Sequence, residues 1–200
     1  MADIHLTTPL SEEDVRNLKL GDSVYLSGTM YTGRDMVHIR ALEYLEEGKE
    51  VPVDFKDMAI FHCGPLMKKV NEHWAVVAAG PTTSSRMNSL EPQFIENFGV
   101  RAIIGKGGMS RPTIEAMERF GCVYLAITGG AAILAANGMK EVKGVEWIDM
   151  GMPEAIWIVE TDNFGPLTVA IDAHGNSLFE GVEEKVKENL GAIKAKLGLE

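Results

Sequence analysis

Only two cysteines occur in the 200 residues, Cys63 and Cys122, too few for a disulfide framework. Each lies in an apolar stretch that reads as a buried strand, so both are expected as small core hydrophobes. Two thiols also cannot hold a typical iron–sulfur cluster without help from another chain. Long hydrophobic runs are missing too, and no segment approaches the length needed to span a bilayer. The start Met1-Ala2-Asp3-Ile4-His5 has neither the basic residues nor the apolar run of an export signal. A cytoplasmic, reducing compartment and no membrane partner are therefore expected. Basic residues are scarce: 19 Lys and Arg stand against 29 Asp and Glu, a net charge of -10. That balance repels nucleic acid phosphates and anionic surfaces. A site for an anionic ligand would have to be locally basic against this field. Internal repeats, low-complexity tracts and linkers are absent.

What is present is ordinary globular composition, with 46% hydrophobic and 24% charged residues. The length suits one domain, residues 1–200. Ser11-Glu12-Glu13-Asp14 opens a helical turn with Ser11 as N-cap and Asp14 completing a variant capping box. A strand follows over Val24–Thr29, then a helix over Asp35–Leu45 with Val37, Ala41, Leu42 and Leu45 on one stripe. Further strands are expected at 59–63, 74–79, 102–104, 123–127, 147–150, 155–159 and 167–171. Helices are expected at 90–98, 112–120 and 131–136, with Pro112 suited to a first turn. A last helix over 179–197 carries Val182, Val186, Leu190, Ile193 and Leu197 on one face, and Glu183, Glu184, Lys187 and Glu188 outside it. The alternation predicts an α/β fold. Strands near both ends lack crossover helices, which disfavours a purely doubly wound sheet.

Three segments concentrate glycine with polar or basic residues at strand ends, where α/β proteins place their sites. They are Ser27-Gly28-Thr29-Met30-Tyr31-Thr32-Gly33-Arg34-Asp35, Gly80-Pro81-Thr82-Thr83-Ser84-Ser85-Arg86-Met87 and Gly105-Lys106-Gly107-Gly108-Met109. Arg34, after a glycine turn and at a helix start, offers a fork of N–H donors that matches a carboxylate; taken alone it reads better as a solvated loop Arg. The four hydroxyls of the second segment could simply cap the next helix. Glycines around Lys106 let a ligand approach the backbone closely, yet the same run also makes an ordinary turn. Neither the third segment nor Thr128-Gly129-Gly130-Ala131-Ala132 has the spacing of a nucleotide-binding loop.

Read in order, these segments resemble the C-terminal domain, or separate β subunit, of class I fumarases and L-tartrate dehydratases. The matching residues are Leu26-Ser27-Gly28-Thr29, Arg34-Asp35, His38, Gly64-Pro65, Gly80–Met87, Gly105–Met109 and Thr128–Ala132, covering about residues 5 to 180. The resemblance implies a single-domain swivelling β/β/α fold with mixed sheets. It implies reversible anti elimination of water from a 2-hydroxy dicarboxylate, with a [4Fe-4S] cluster held by three cysteines of a partner α subunit and none of the metal bound by this chain. A heteromer with two of each chain is the expected assembly. Carried over position by position, substrate-clamping roles fall on Arg34, Arg86 and Lys106, and the catalytic base falls on Thr82, activated by a partner aspartate. Asn88 stands where many relatives carry Asp, so any orientation of Arg86 by that Asp must come from elsewhere. His38, four residues after Arg34, could support the Arg loop or sit as a satisfied core histidine, while His73 and His174 are expected at the surface. Hydration of fumarate to (S)-malate is the leading expectation. L-tartrate dehydration and a non-enzymatic dicarboxylate-binding module are the alternatives.

Overall fold

The computed structural model describes residues 3–130 and 132–198. Their elements run β1 (Asp3–Thr7), α1 (Glu12–Arg16), β2 (Ser23–Thr32), α2 (Asp35–Glu46), β3 (Ala59–Phe61), β4 (Leu66–Val70), β5 (His73–Ala78), α3 (Glu91–Phe98), β6 (Ala102–Gly105), α4 (Arg111–Phe120), β7 (Val123–Ala126), α5 (Ala132–Gly138), β8 (Met139–Glu146), β9 (Ile156–Ile171) and α6 (Leu178–Leu197). One-turn 3-10 helices occupy Ser84–Met87, Ile148–Met150 and Met152–Glu154.

Seven strands form one mixed sheet in the order β1-β2-β3-β6-β7-β9-β8, while β4 and β5 make a separate hairpin. Pairing of β2 with β9 closes β2, β3, β6, β7 and β9 into a ring. Within it β2, β3, β6 and β7 are mutually parallel and β9 runs against them. The parallel strands β3, β6 and β7 are apolar and almost wholly buried, as strands covered on both faces must be.

Period-two alternation assigns their side chains to two cores. Ala59, Phe61, Ala102, Ile104, Val123 and Leu125 face inward and meet Leu26, Met30, Trp157, Val159 and Phe164. Ile60, Ile103 and Tyr124 face outward onto a helical layer, where Val37, Ala41, Phe94, Ile95, Ile114 and Met117 cover them. Each fully buried large side chain contributes about 1.5–3 kcal/mol, so this layer holds α2, α3 and α4 firmly against the sheet. Helices α3 and α4 end at Gly99 and Gly121, both left-handed, as a terminating residue without a Cβ permits. The capping box at α1 is present: Asp14 N–H donates to Ser11 Oγ at 3.1 Å, and Ser11 N–H donates to Asp14 Oδ2 at 2.9 Å.

Several expectations are corrected. In place of a strand at 147–150 there is a 3-10 turn, Ile148–Met150, preceded by Trp147 in a left-handed conformation (φ 55°) just past the end of β8. The two strands expected at 155–159 and 167–171 are halves of β9, which passes from β8 to β7 as its second neighbour along a bulged stretch around Asn163. Residues 27–32 belong to β2, which leaves only Gly33 and Arg34 as loop in the first glycine-rich segment. The apolar stripe of α6 is exposed, with Val182, Val186, Leu190, Ile193 and Leu197 between 46% and 65% accessible. Side chains of 183, 184, 187 and 188 on the other face lie outside the described residues. No helix among the described residues is long and apolar enough to cross a membrane.

Candidate functional site

The parallel strands β2, β3, β6 and β7 all deliver their carboxyl ends to one edge of the ring, the usual place for a site in such sheets. Four segments follow there: Gly33-Arg34, His62-Cys63-Gly64, Lys106-Gly107 and Thr128-Gly129-Gly130. At this edge β3 and β6 part, and residues 81–83 insert between them, held by isolated bridges from Pro81 to Cys63 and from Thr83 to Lys106. Thr82 N–H donates to the His62 carbonyl at 2.7 Å, Lys106 N–H to the Thr82 carbonyl at 3.4 Å, and Ser84 N–H to the Lys106 carbonyl at 3.0 Å. Thr82 and Lys106 are thus backbone neighbours, both half-buried. The Lys106 stem passes over Gly129, where an added Cβ would sit 3.6 Å from its Cδ. Lys106 has no ion-pair partner among the described residues.

Arg34 and Arg86 meet over Asp35. Arg86 Nε donates to Asp35 Oδ1 at 3.1 Å and its Nη2 lies 2.8 Å from Oδ2, while Arg34 Nε is 3.9 Å from Oδ2. Asp35 therefore supplies the orientation of Arg86. Asn88 does other work: its Oδ1 accepts the Ser110 N–H at 2.9 Å, tying this loop to the start of α4. Arg34 is fixed further by Glu154, with Nη2 and Oε1 3.1 Å apart, and Glu154 Oε2 also accepts the Met36 N–H in the first turn of α2. The guanidinium lies across Gly64, where an added Cβ would stand 2.6 Å from Nη1. Any side chain at 64 would therefore displace Arg34. Sequence reading named Arg34, Arg86, Lys106 and Thr82, and the structure brings all four to one strand-end edge. It overlooked Glu154, which ends the Met152–Glu154 turn and has no sequence pattern linking it to α2.

Beneath this edge lies a polar network with no solvent exposure. Glu91 Oε2 is 3.4 Å from His38 Nε2 and 3.2 Å from His62 Nε2, and all three side chains are fully buried. His38 Nδ1 pairs with the Arg34 carbonyl at 2.8 Å. His62 Nδ1 pairs with Ser84 Oγ at 2.9 Å, and Tyr124 O–H donates to the same Oγ at 2.9 Å. Burial opposes ionisation of Glu91, but the two imidazoles outweigh it and hold its carboxyl down to about 2. Burial also disfavours a charged His38, yet Glu91 prevails and raises it. For His62, burial wins and its pKa is lowered. Glu91 is thus favoured as a carboxylate, and of the two imidazoles His38 takes a proton more readily than His62. His38 is fully buried and also touches the Arg34 turn through its carbonyl, so both features expected of it are present together. His73 and His174 are exposed as expected.

These shifts predict a stability maximum near the ordinary histidine range. His38, raised above its usual 6.5, stabilises fully below 6.5, and that share is lost as pH rises through its folded value. Glu91, lowered from 4.5, stabilises fully above 4.5, and that share is lost as pH falls toward about 2. His62, lowered from 6.5, adds a loss as pH falls below 6.5. Thermal midpoints measured between about pH 4 and about pH 9 should therefore fall on both sides, and Glu91→Gln should remove the alkaline limb. A wild-type midpoint flat across the alkaline side would contradict the assignment.

The cysteines do not suit a cluster. Cys63 belongs to the inner core and Cys122 to the outer one. Burial pushes the Cys63 thiol up to about 12 and that of Cys122 well above its usual value, so neither is a ready thiolate. An iron–sulfur cluster does not fit the residues of this chain. The atoms of His38, His62 and Glu91 lie within 4.8 Å of one another and form a donor set of metal-binding type.

Comparison with known proteins agrees with the resemblance. The family described as "Fumarase C-terminus" matches residues 1–182. The chain is 49% identical over 185 residues to a Methanocaldococcus jannaschii protein named "Putative L(+)-tartrate dehydratase subunit beta", covering 92% of this chain and 95% of that one. It is 43% identical over 173 residues to the L(+)-tartrate dehydratase subunit beta of Escherichia coli K12, covering 86% and 85%. It is also 42% identical over 192 residues to a Geobacillus stearothermophilus protein named "Putative fumarate hydratase class I", covering 96% of this chain and 36% of that one. With a match across nearly all the strands and the whole candidate edge, this chain belongs to the fumarase C-terminus family.

Proposed function

We propose that this chain is the β subunit of an iron–sulfur hydro-lyase, catalysing reversible hydration of fumarate to (S)-malate together with a cluster-bearing α subunit. The observation that carries the reading is the insertion of residues 81–83 between β3 and β6, which sets Thr82 beside Lys106 at the edge where Arg34 and Arg86 converge. A C4 dicarboxylate needs cationic partners for two carboxylates. Arg34 directs Nη2 to Glu154, and Arg86 directs Nε and Nη2 to Asp35, so each retains N–H donors for a ligand. Lys106 adds a charge without a protein counterion among the described residues. Such a cradle gives a small basic patch on a chain of net charge -10.

In the dehydration direction Thr82 Oγ takes the proton from the carbon bearing the second carboxylate. Negative charge then grows on that carboxylate, and the cations stabilise it most in the transition state. A Thr hydroxyl is a weak base, so a partner carboxylate is needed to receive its proton. The [4Fe-4S] cluster belongs to the α subunit, as does departure of the hydroxyl. The chain would act in the cytoplasm as the swivelling β/β/α domain, residues 1–200, in a heteromer with two copies of each subunit.

A second reading, L-tartrate dehydration, is favoured by the names of the M. jannaschii and E. coli relatives. Both substrates require the same clamp and differ by one hydroxyl. The deciding experiment is kcat/KM of the reconstituted heteromer for (S)-malate and for L-tartrate under anaerobic conditions. Preference for malate supports the first reading and preference for tartrate the second. Turnover of neither would overturn both and leave a dicarboxylate-binding module.

A further inference from the structure

The buried network is expensive, and packing alone does not call for it. Glu91 sits in the first turn of α3, where an acid ordinarily points into solvent, yet it has no exposed surface. A fully buried carboxylate costs several kcal/mol unless it is paired, and apolar side chains of similar volume often serve packing as well or better. The groups it touches lead to the candidate site in two directions. Through His38 it reaches the backbone carbonyl of Arg34. Through His62 it reaches Ser84, two residues after Thr82.

The outer hydrogen bonds of this path are made, whereas both histidine Nε2 atoms and both Glu91 oxygens are buried without a hydrogen-bond partner. Tyr124 O–H donates to Ser84 Oγ, which leaves the Ser84 hydroxyl proton for His62 Nδ1. Neutral His62 then carries its proton on Nε2, facing Glu91 Oε2. His38, as imidazolium, faces the same oxygen with Nε2–H and donates Nδ1–H to the Arg34 carbonyl. Neither Nε2 contact closes as a hydrogen bond, so a charged His38 is held to Glu91 mainly by charge and a neutral His62 only by its N–H dipole. The space is closely filled: a Cβ at Gly105 would come 2.0 Å from Ser84 Oγ and 3.0 Å from the Tyr124 hydroxyl.

We propose that Glu91 is a positioning residue, a buried carboxylate that pulls His38 and His62 together and so locks the Arg34 turn and the Thr82–Ser84 segment in register with each other. The inference rests on the reading of Arg34 and Thr82 as substrate-facing residues. Its structural half, the locking of two segments by one carboxylate, stands without any activity. The same three side chains could instead ligate a divalent metal ion, since their donor atoms converge. Since both Nε2 atoms and both Glu91 oxygens lack a hydrogen-bond partner, a metal count tests the point.

The experiment compares wild type and Glu91→Gln, which keeps shape and removes charge, with Ser84→Ala as a second variant cutting only the His62 branch. Amide hydrogen exchange on the full chain should accelerate about tenfold or more at Thr82, Ser84 and Lys106 in Glu91→Gln, with the α4 amides of Met117 and Gly121 unchanged. In the reconstituted heteromer KM should rise about tenfold as the Arg34 turn loosens, and kcat should fall as Thr82 shifts. A merely structural role predicts a smaller folded fraction, lower apparent kcat and unaltered KM. Ser84→Ala should reproduce the exchange effect at Thr82 and spare the Arg34 side. Uniform acceleration across the chain, or unaltered local exchange, overturns the proposal. So does one equivalent of zinc in the wild type that Glu91→Gln lacks. Wild-type reconstituted enzyme inactive on malate and tartrate would refute the functional reading instead, and the exchange data would still decide whether Glu91 locks the two segments.

Discussion

Thr82→Ala should lower kcat of the reconstituted enzyme by about 10²–10⁴-fold, the usual loss when a general base is removed. Substrate affinity should change far less, because the substitution deletes one hydroxyl and leaves Arg34, Arg86 and Lys106 in place. The Thr82 backbone bonds to His62 and Lys106 do not involve that hydroxyl, so the inserted segment should keep its course. Thr83→Ala is the internal control. Thr83 is exposed, and although it stands at the N-cap of the following turn, its hydroxyl makes no capping bond. Its loss should cost little in either constant. Steady-state kinetics and calorimetric binding for both variants make the comparison. A greater loss in Thr83→Ala, or unchanged kcat in Thr82→Ala, would remove Thr82 from the role of base and favour a binding module.

Arg86→Ala and Lys106→Ala should each cost about 1.5–3 kcal/mol in transition-state binding, the worth of a hydrogen bond to a charged group. That corresponds to roughly a ten- to hundred-and-fifty-fold fall in kcat/KM. Stability should move little, because the Arg86 side chain is 51% exposed and surface ion pairs contribute about 0–1 kcal/mol. The two substitutions differ in one respect. Removing Arg86 also frees Asp35, a carboxylate that then repels an anionic substrate. Arg86→Ala should therefore raise KM more than Lys106→Ala does, and Arg86→Ala with Asp35→Asn should recover part of that excess. Kinetics of the three variants on the heteromer test this, and wild-type kcat/KM in both single variants would place these loops away from the substrate.

The legible parts of the fold were those under strong burial. Strands β3, β6 and β7 read as apolar runs because both their faces are covered, and α3 and α4 read as helices from their stripes and terminal glycines. The missed strands share a different property: β1, β4 and β8 each lie at an edge or in the exposed hairpin. Their burial patterns show one buried residue at most, so Lys68, Lys69, Lys140 and Glu141 are tolerated and the apolar signal fades. Strand β9 was read as two because Asn163 and Gly165-Pro166 resemble a turn. Pairing to β2 on both sides of that stretch carries the strand through it. For the proposed site, the cations and Thr82 are named by resemblance and by their place near the ends of apolar strands. Asp35 as the anchor of Arg86, Glu154 as the brace of Arg34 and Glu91 as a buried carboxylate are not, since each acts on residues far away in sequence. Glu91 in particular has the sequence context of a solvated first-turn acid, and only its depth behind His38 and His62 distinguishes it.

The most direct test of the central claim is an anaerobic titration of this chain into a cluster-loaded α subunit, with dehydration of (S)-malate and L-tartrate followed after each addition. The account predicts that the iron-free chain alone is colourless and inactive, and that activity rises in proportion to added chain and saturates at equal amounts of the two subunits. Turnover by the iron-free chain alone, or full activity of the α subunit before any is added, would contradict it.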